Sequence, residues 1–510
     1  MDIPNHIRWE NHIKVGVIDS LLRIARALPS IRRDSRNARR LIPVLNPLPV
    51  ELDLPTNEQT MAWIKEICRT PHRRPGTTEG RQAEEWALNQ FTEIGLDNVC
   101  ADPVPITVWT PKQWSLEIEG EAIPCFFTVN TGFTDLEGID APLVYVGAGR
   151  PKDFKRVDVR GKIVVAETSF PTLPSGILMK LLKACYHLSD PREELKITDY
   201  QYLNFVRKNF VGGSASVEEA PDREVYWQAY KHGAAGICMI LKSQPAGTNS
   251  HYGPYDGLMK PIPGLWIGKA EGAALRKAAR RGANTKLVLN GEVKPGEMRN
   301  IWGVLPGMSD ETILITSHLD SPFQGAVEDA SGVAQVLAQA KAWSKVPKSK
   351  RPRTLVFVAG AGHFYGSEGG HAFARSHADL MKRTRILITL EHMGGKEVRE
   401  KENVYEETGR LALSVIFTTP DPKIIATVIK ALETKPSRMT AAIPATLFGP
   451  VPISDSMGYV LESGVPVISW IGCPYYLLDE HDTLEKIDLH SLRPLSETVG
   501  ELIKLHMAAK

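Results

Sequence analysis

The chain has 510 residues, with 61 Lys and Arg against 59 Asp and Glu, a formal net charge of +2. That length supports two or three domains with proper cores, and so balanced a charge argues against a nucleic-acid or membrane-surface partner. Cys68, Cys100, Cys125, Cys185, Cys238 and Cys473 are scattered without a Cys-x-x-Cys pair, which excludes a disulfide framework or a zinc–thiolate site and fits reduced cytoplasmic thiols.

Residues 1–50 read as a helical leader. Val15–Leu28 is interrupted by Asp19, Arg23 and Arg26, the mark of an amphipathic helix and not of a signal peptide, so the cytoplasm is the expected location. No stretch approaches transmembrane length. Arg32 to Arg40 form a basic run that reads as a solvated face, while Leu21, Leu22, Leu28 and Ile31 offer an apolar stripe suited to a homo-oligomer contact. Pro43, Pro47, Pro49 and Pro55 mark a linker. A helix over Glu58–Ile67 then leads through a turn at Arg73–Gly80 to a second helix, Arg81–Glu93, that stops at Gly95.

Residues 125–290 change character. Asp158–Ala166 reads as a tight turn feeding a β-rich run and Tyr230–Ile240 as a helix end followed by an apolar strand, with Pro261–Ile267 and a helix over Glu271–Arg281 completing the set. Within this stretch, residues 170–222 are rich in helix formers and contain the turn Gly212-Gly213-Ser-Ala-Ser216; a helical lid or oligomer contact is expected there. From Arg299 onward, buried-strand candidates at Arg353–Ala359, Arg385–Leu390 and Gly464–Trp470 alternate with helices, an α/β pattern with a largely parallel sheet.

The chemistry concentrates in His318-Leu-Asp320-Ser-Pro-Phe-Gln-Gly-Ala-Val-Glu328-Asp329-Ala-Ser-Gly332-Val333, which follows the apolar run Thr312–Thr316 and precedes a helix. Open α/β sheets place ligand sites at such strand C-termini. An imidazole, a neighbouring carboxylate and an acidic pair at a helix entrance suit a metal such as zinc.

On these motifs, in this order, the chain resembles the zinc-dependent aminopeptidases of phosphorylase-like αβα fold, whose relatives include glutamate carboxypeptidase II, the glutaminyl cyclases and the non-catalytic transferrin receptor. The resemblance implies a three-layer αβα hydrolase domain, discontinuous over residues 51–124 and 291–510, with a β-rich protease-associated insert at 125–290. It implies Glu328 as the carboxylate that bridges two ions in relatives, His318 and Glu391 as further ligands of one ion, and Asp320 as a carboxylate fixing the His318 ring. Asp329 stands beside the bridging position, and Ser454-Asp455 would line the pocket. The family's general base falls at His363. The other ion's two ligand positions fall at Phe364 and Leu478, which cannot coordinate a metal. Glu368 and His481 lie close enough in sequence to compensate, Glu368 in catalysis and His481 as a ligand. His371 and His392 read as loop residues without a role.

The implied function is metal-dependent hydrolysis of a peptide or small amide, with one zinc ion per chain. A binding or scaffold protein and a lyase or cyclase on the same fold are the competing readings. Packing Glu328, Asp329, Asp320 and Glu391 together without a cation costs several kcal/mol per unpaired charge, which favours the enzyme.

Overall fold

The structure is a computed structural model that describes residues 17–170, 172–202, 224–244 and 247–509. Apolar runs without alternation demand burial on both faces, and three of them form the centre of the main sheet. Thr312–His318 lies between Thr354–Gly360 and Thr384–Glu391, all three parallel. Val467–Gly472 adds a fourth parallel strand beside Thr384–Glu391. Ser414–Thr418 turns antiparallel to it, Thr440–Pro444 pairs parallel with Ser414–Thr418, and His187–Ser189 closes that edge. The sheet is mixed and largely parallel with helices on its faces, as the sequence predicts.

Helix Ser331–Ser344, entered directly from the acidic loop, is buried along nearly its whole length. Its glutamines are satisfied across the helix interface: Gln335 Nε2 donates to the Leu492 carbonyl (3.0 Å) and Gln339 Nε2 to that of Ser496 (2.9 Å), as buried amides require. Helix Asn57–Ile67 begins with a reciprocal Thr56/Gln59 capping box, and helix Thr78–Ile94 runs from a Thr77 cap to Gly95 in the left-handed conformation (φ 82°).

The opposite edge is a two-stranded ribbon, Asp97–Ile118 paired with Asn284–Leu305, which the sequence reading does not contain. Pro103, Pro105 and Pro111 fall on alternate positions of the first strand, so their missing N–H groups share one side and the ladder on the other survives. Asn284–Leu305 also joins the two lobes. Its start pairs with Ile139–Tyr145 and its end with Thr354–Gly360. From Ile139–Tyr145 a second, parallel sheet continues through Ile163–Thr168 and Gly236–Leu241 to Gly264–Ile267. Helix Lys269–Arg280 packs against this lobe.

Two expectations change. The described part of the segment expected to be helical, residues 170–222, carries a single helical turn, Ile177–Leu181, and short strands. Pro174, Gly176 and Pro191 interrupt it, and His187–Ser189 is taken into the main sheet. The turn Gly212–Ser216 lies outside the described residues. The leader helix runs unbroken through the basic stretch, Val17–Leu41, with Pro29 inside it. It docks on helix Pro422–Thr434, and Ile24, Ile31 and Ala38 are buried in the chain's own core. The stripe expected to serve self-association is thus partly occupied within the chain. Among the described residues no helix is long and apolar enough to cross a membrane.

Candidate metal centre

Three adjacent parallel strands deliver the reactive groups at their C-terminal ends. His318 ends Thr312–His318, Glu391 ends Thr384–Glu391 and is followed by His392, and His363 lies three residues beyond Thr354–Gly360. The loop from His318 to the buried helix brings Glu328 and Asp329 between them. The Glu328–Asp329 peptide is cis.

That loop is fixed from below by polar groups. Arg73 is 1% exposed, and its guanidinium donates to the carbonyls of Leu319 (2.8 Å), Gln324 (2.5 Å), Gly325 (3.0 Å) and Glu328 (3.5 Å). Asp482 accepts from the amides of Val327 (2.9 Å) and Glu328 (2.8 Å). Asp329 accepts from Ser317 Oγ (2.6 Å), Gly332 N (3.2 Å) and His392 N (2.8 Å); it is a structural hub whose hydrogen bonds are spent on holding the loop. Gly332 is required here, because a Cβ would lie 2.2 Å from the Leu390 carbonyl oxygen. His392 itself sits at φ 56°, a strained backbone for a non-glycine residue that its bond to Asp329 holds in place.

Three imidazoles converge on Glu328. His318 Nδ1 donates to the Asp320 main-chain carbonyl (2.9 Å), His392 Nδ1 to the Gly472 carbonyl (2.7 Å), and His363 Nδ1 to Asp455 Oδ1 (2.6 Å). Carbonyls and carboxylates only accept, so each Nδ1 carries a proton and each Nε2 faces inward, where it can ligate an ion once deprotonated. His318 Nε2 lies 3.2 Å and His363 Nε2 3.8 Å from Glu328 Oε1, while His392 Nε2 approaches Glu328 Oε2 at 2.7 Å. Glu391 Oε1 accepts from Asp455 N (3.1 Å) and leaves Oε2 free.

The electrostatics follow from this crowding. Burial alone would lower the pKa of His318, but Asp455, Asp320, Glu328 and Asp329 outweigh it and hold the value well above the ordinary one. Burial would raise Glu328, yet His392 and His318 hold it well below the carboxylate range. Despite its burial, His392 is pushed up to about 10 by Glu328. Burial and the neighbouring Asp455 raise Glu391 well above its usual value, and burial pushes Asp329 up to about 6.

Asp320 stands beside the His318 ring and contacts it through two groups. Its main-chain carbonyl takes the hydrogen bond from His318 Nδ1 (2.9 Å), and its carboxylate lies 3.7 Å from the same nitrogen. The carboxylate accepts from the amides of His363 (3.2 Å) and Phe364 (3.0 Å) and so sets the neighbouring loop. Asp455 joins the cluster, and Ser454 lines its cavity. Glu368 and His481 stay outside it. Glu368 opens helix Glu368–Ser376 and pairs with Arg375 (2.5 Å); His481 folds onto Asp479 (3.1 Å) and remains 38% exposed. His392, Arg73 and the ligand-like placement of Asp455 are what the sequence reading missed. For His392 a signal existed, since it directly follows Glu391 at a strand end.

The cavity holds about 50 Å³ and has two characters. Glu328, His363, Glu391 and His392 make one wall, and Ile453, Met457, Ile471, Leu477 and Leu478 the other. Phe364 is buried with its ring edge-on to those of His318, His363, Tyr252 and Tyr255. The side of the cavity that holds Phe364 and Leu478 is therefore apolar.

A divalent ion fits the polar side. His318 Nε2, Glu328 Oε1 and Glu391 Oε2 are buried without a hydrogen-bond partner, which a folded core does not tolerate unless something else satisfies them. His392 Nε2 also lacks an aligned hydrogen bond despite its close approach to Glu328. Ligand atoms of His318, Glu328 and His363 lie within 4.8 Å of one another, as do those of His318, Asp329 and Asp455, and of His363, Glu391 and Asp455. The 3.2 Å separation of His318 Nε2 and Glu328 Oε1 is close to the edge of a tetrahedron with bonds of about 2.0–2.1 Å, roughly 3.3 Å.

Residues 300–503 match the sequence profile of peptidase family M28. No curated protein sequence matches the chain. Among solved structures, the fold is similar to a zinc aminopeptidase from Bacillus subtilis (TM-score 0.64, 17% identity, 90% of this chain and 98% of that one). A peptidase M28 precursor from Shewanella amazonensis SB2B gives a TM-score of 0.64 at 18% identity, covering 94% and 98%. An aminopeptidase from Aneurinibacillus sp. strain AM-1 gives 0.57 at 21%, covering 88% and 93%. At these identities the likeness establishes a shared fold.

Proposed function

We propose that the protein, whose residues 300–503 match the peptidase family M28 profile, is a hydrolase that cleaves a peptide or small amide bond with one divalent ion per chain, zinc by preference. The observation that carries this reading is the meeting of His318 Nε2, Glu328 Oε1 and His363 Nε2 in one buried place, two of those atoms having no hydrogen-bond partner.

An ion bound there would polarise the scissile carbonyl and lower the pKa of its water. The chain's own groups do the rest. Arg73 and Asp482 hold the Glu328 loop rigid, so its carboxylate keeps its position as charge develops nearby. Asp455 and the Asp320 and Gly472 carbonyls fix the histidine tautomers. A carboxylate of the cluster accepts the proton of the attacking water and returns it to the leaving amine. The apolar wall of Ile453, Met457, Leu477 and Leu478 excludes bulk water and suits an uncharged portion of the substrate.

A panel of aminoacyl-4-nitroanilides and dipeptides, assayed with zinc-loaded protein, with chelated protein and with Glu328→Ala, tests the reading. Hydrolysis that chelation removes, zinc restores and Glu328→Ala lacks is the expected result. Cleavage that survives both treatments, or a zinc-loaded protein that cleaves no member of the panel, overturns it.

A further inference from the structure

We infer that two roles are exchanged relative to the pattern the resemblance implies: His363 is a ligand of the ion, and Glu391 is the group that takes the proton from the attacking water. This inference rests on the proposed metal-dependent hydrolysis.

The argument begins with which atoms share a centre. His318, Glu328 and His363 bring one ligand atom each within a common 4.8 Å, whereas Glu391 enters the cluster through His363 and Asp455. The rings of His318 and His363 lie parallel, 4.2 Å between centroids and 13° between planes. Both point Nε2 at the same oxygen, Glu328 Oε1, at 3.2 and 3.8 Å. A general base at His363 would need its lone pair turned toward a water. Here Nδ1 is committed to Asp455 at 2.6 Å, which leaves Nε2 facing the carboxylate that anchors the ion. A carboxylate behind a histidine, with the far nitrogen free, is the arrangement that orients metal-bound imidazoles.

Glu391 has the complementary features. Its Oε1 is occupied by Asp455 N and, more weakly, by Thr389 Oγ1 at 3.4 Å. Its Oε2 is buried without a hydrogen-bond partner, and Glu391 lines the same cavity. One oxygen held and one free is what a positioned proton acceptor requires. In the step, the water oxygen bonds to the carbonyl carbon and its proton passes to Glu391 Oε2. The carbon–nitrogen bond then breaks as Glu391 returns that proton to the leaving amine.

The purified full-length protein separates the two assignments. Zinc affinity of the wild type, His363→Gln, Glu391→Gln and Asp455→Asn is measured by calorimetry on metal-free protein, and the visible spectrum is recorded after cobalt substitution. His363→Gln should weaken zinc binding more than about 100-fold and alter the cobalt spectrum, and Asp455→Asn should weaken it about 10-fold through the loosened ring. Glu391→Gln should keep zinc affinity within about threefold and the cobalt spectrum unchanged, while kcat falls about 10²–10⁴-fold. Wild-type zinc affinity in His363→Gln, or loss of zinc in Glu391→Gln, overturns the exchange and leaves metal-dependent hydrolysis standing. A wild type that binds no zinc overturns both.

Discussion

His318 and His363 stack face to face, 4.2 Å between ring centroids, with both Nε2 atoms directed at one oxygen of Glu328. Both nitrogens face one carboxylate oxygen, so one cation can be shared by the two rings and Glu328. His318→Ala should lower zinc affinity more than about 100-fold, because removing one of three protein ligands leaves too few for a stable site. Calorimetric titration of the metal-free variant checks this; binding within threefold of wild type would refute it.

Arg73 reaches four main-chain carbonyls of the loop that carries Glu328. Arg73→Met keeps the apolar stem and removes every donor. At roughly 1 kcal/mol for each lost hydrogen bond, urea unfolding should show a loss of about 2–4 kcal/mol. Zinc affinity should fall with it, since the loop positions Glu328. Unchanged stability would mean that water replaces the guanidinium without cost.

At Gly332 even a methyl group is too large. Its Cβ would lie 2.2 Å from the Leu390 carbonyl oxygen and 2.5 Å from both Asp329 Oδ2 and Ser317 Oγ. Gly332→Ala should lose about 3 kcal/mol in urea unfolding, by overpacking against backbone that cannot give way. A loss under about 0.5 kcal/mol would show that the helix and the Leu390–Glu391 strand end move apart freely.

Stability should fall on mild acidification through His506. Burial, with the Arg353 charge nearby, pushes its pKa down to about 4, and its Nε2 contacts Thr427 Oγ1 at 3.0 Å. An unfolded histidine titrates near 6.5 and binds protons that the folded form refuses, so the penalty is absent above about pH 6.5 and grows as pH falls toward 4. His506→Gln should remove on the order of 2–3 kcal/mol of this acid sensitivity between pH 6.5 and 4, read from urea unfolding at both pH values. An identical pH slope in the variant would exclude His506 as the source.

The buried strands and the acidic loop were legible in the sequence because their signals are local: unbroken apolar runs at Thr312–Thr316 and Arg385–Leu390, and a motif that carries a glycine where a side chain has no room. The Asp97–Ile118 ribbon was not. Its three prolines weaken any local strand signal, and only the pairing shows that they lie on one side. The same limit applies at the metal centre. His392 follows Glu391 in sequence, but its direction depends on the Gly472 carbonyl and the Asp329 side chain, 80 and 63 residues away. Asp320 is beside His318 as its side chain suggests, but the main-chain hydrogen bond it also accepts from that ring has no sequence signal. Glu368 and His481 were near in sequence and are drawn off by partners of their own, Arg375 and Asp479.

The central claim is that one ion sits between His318 and Glu328. An anomalous difference map at the zinc edge, from crystals of zinc-loaded protein, tests it most directly. The account predicts one peak per chain, about 2.0–2.2 Å from His318 Nε2 and from Glu328 Oε1. No peak at that place, or two peaks of full occupancy with the second against Phe364 and Leu478, would contradict it.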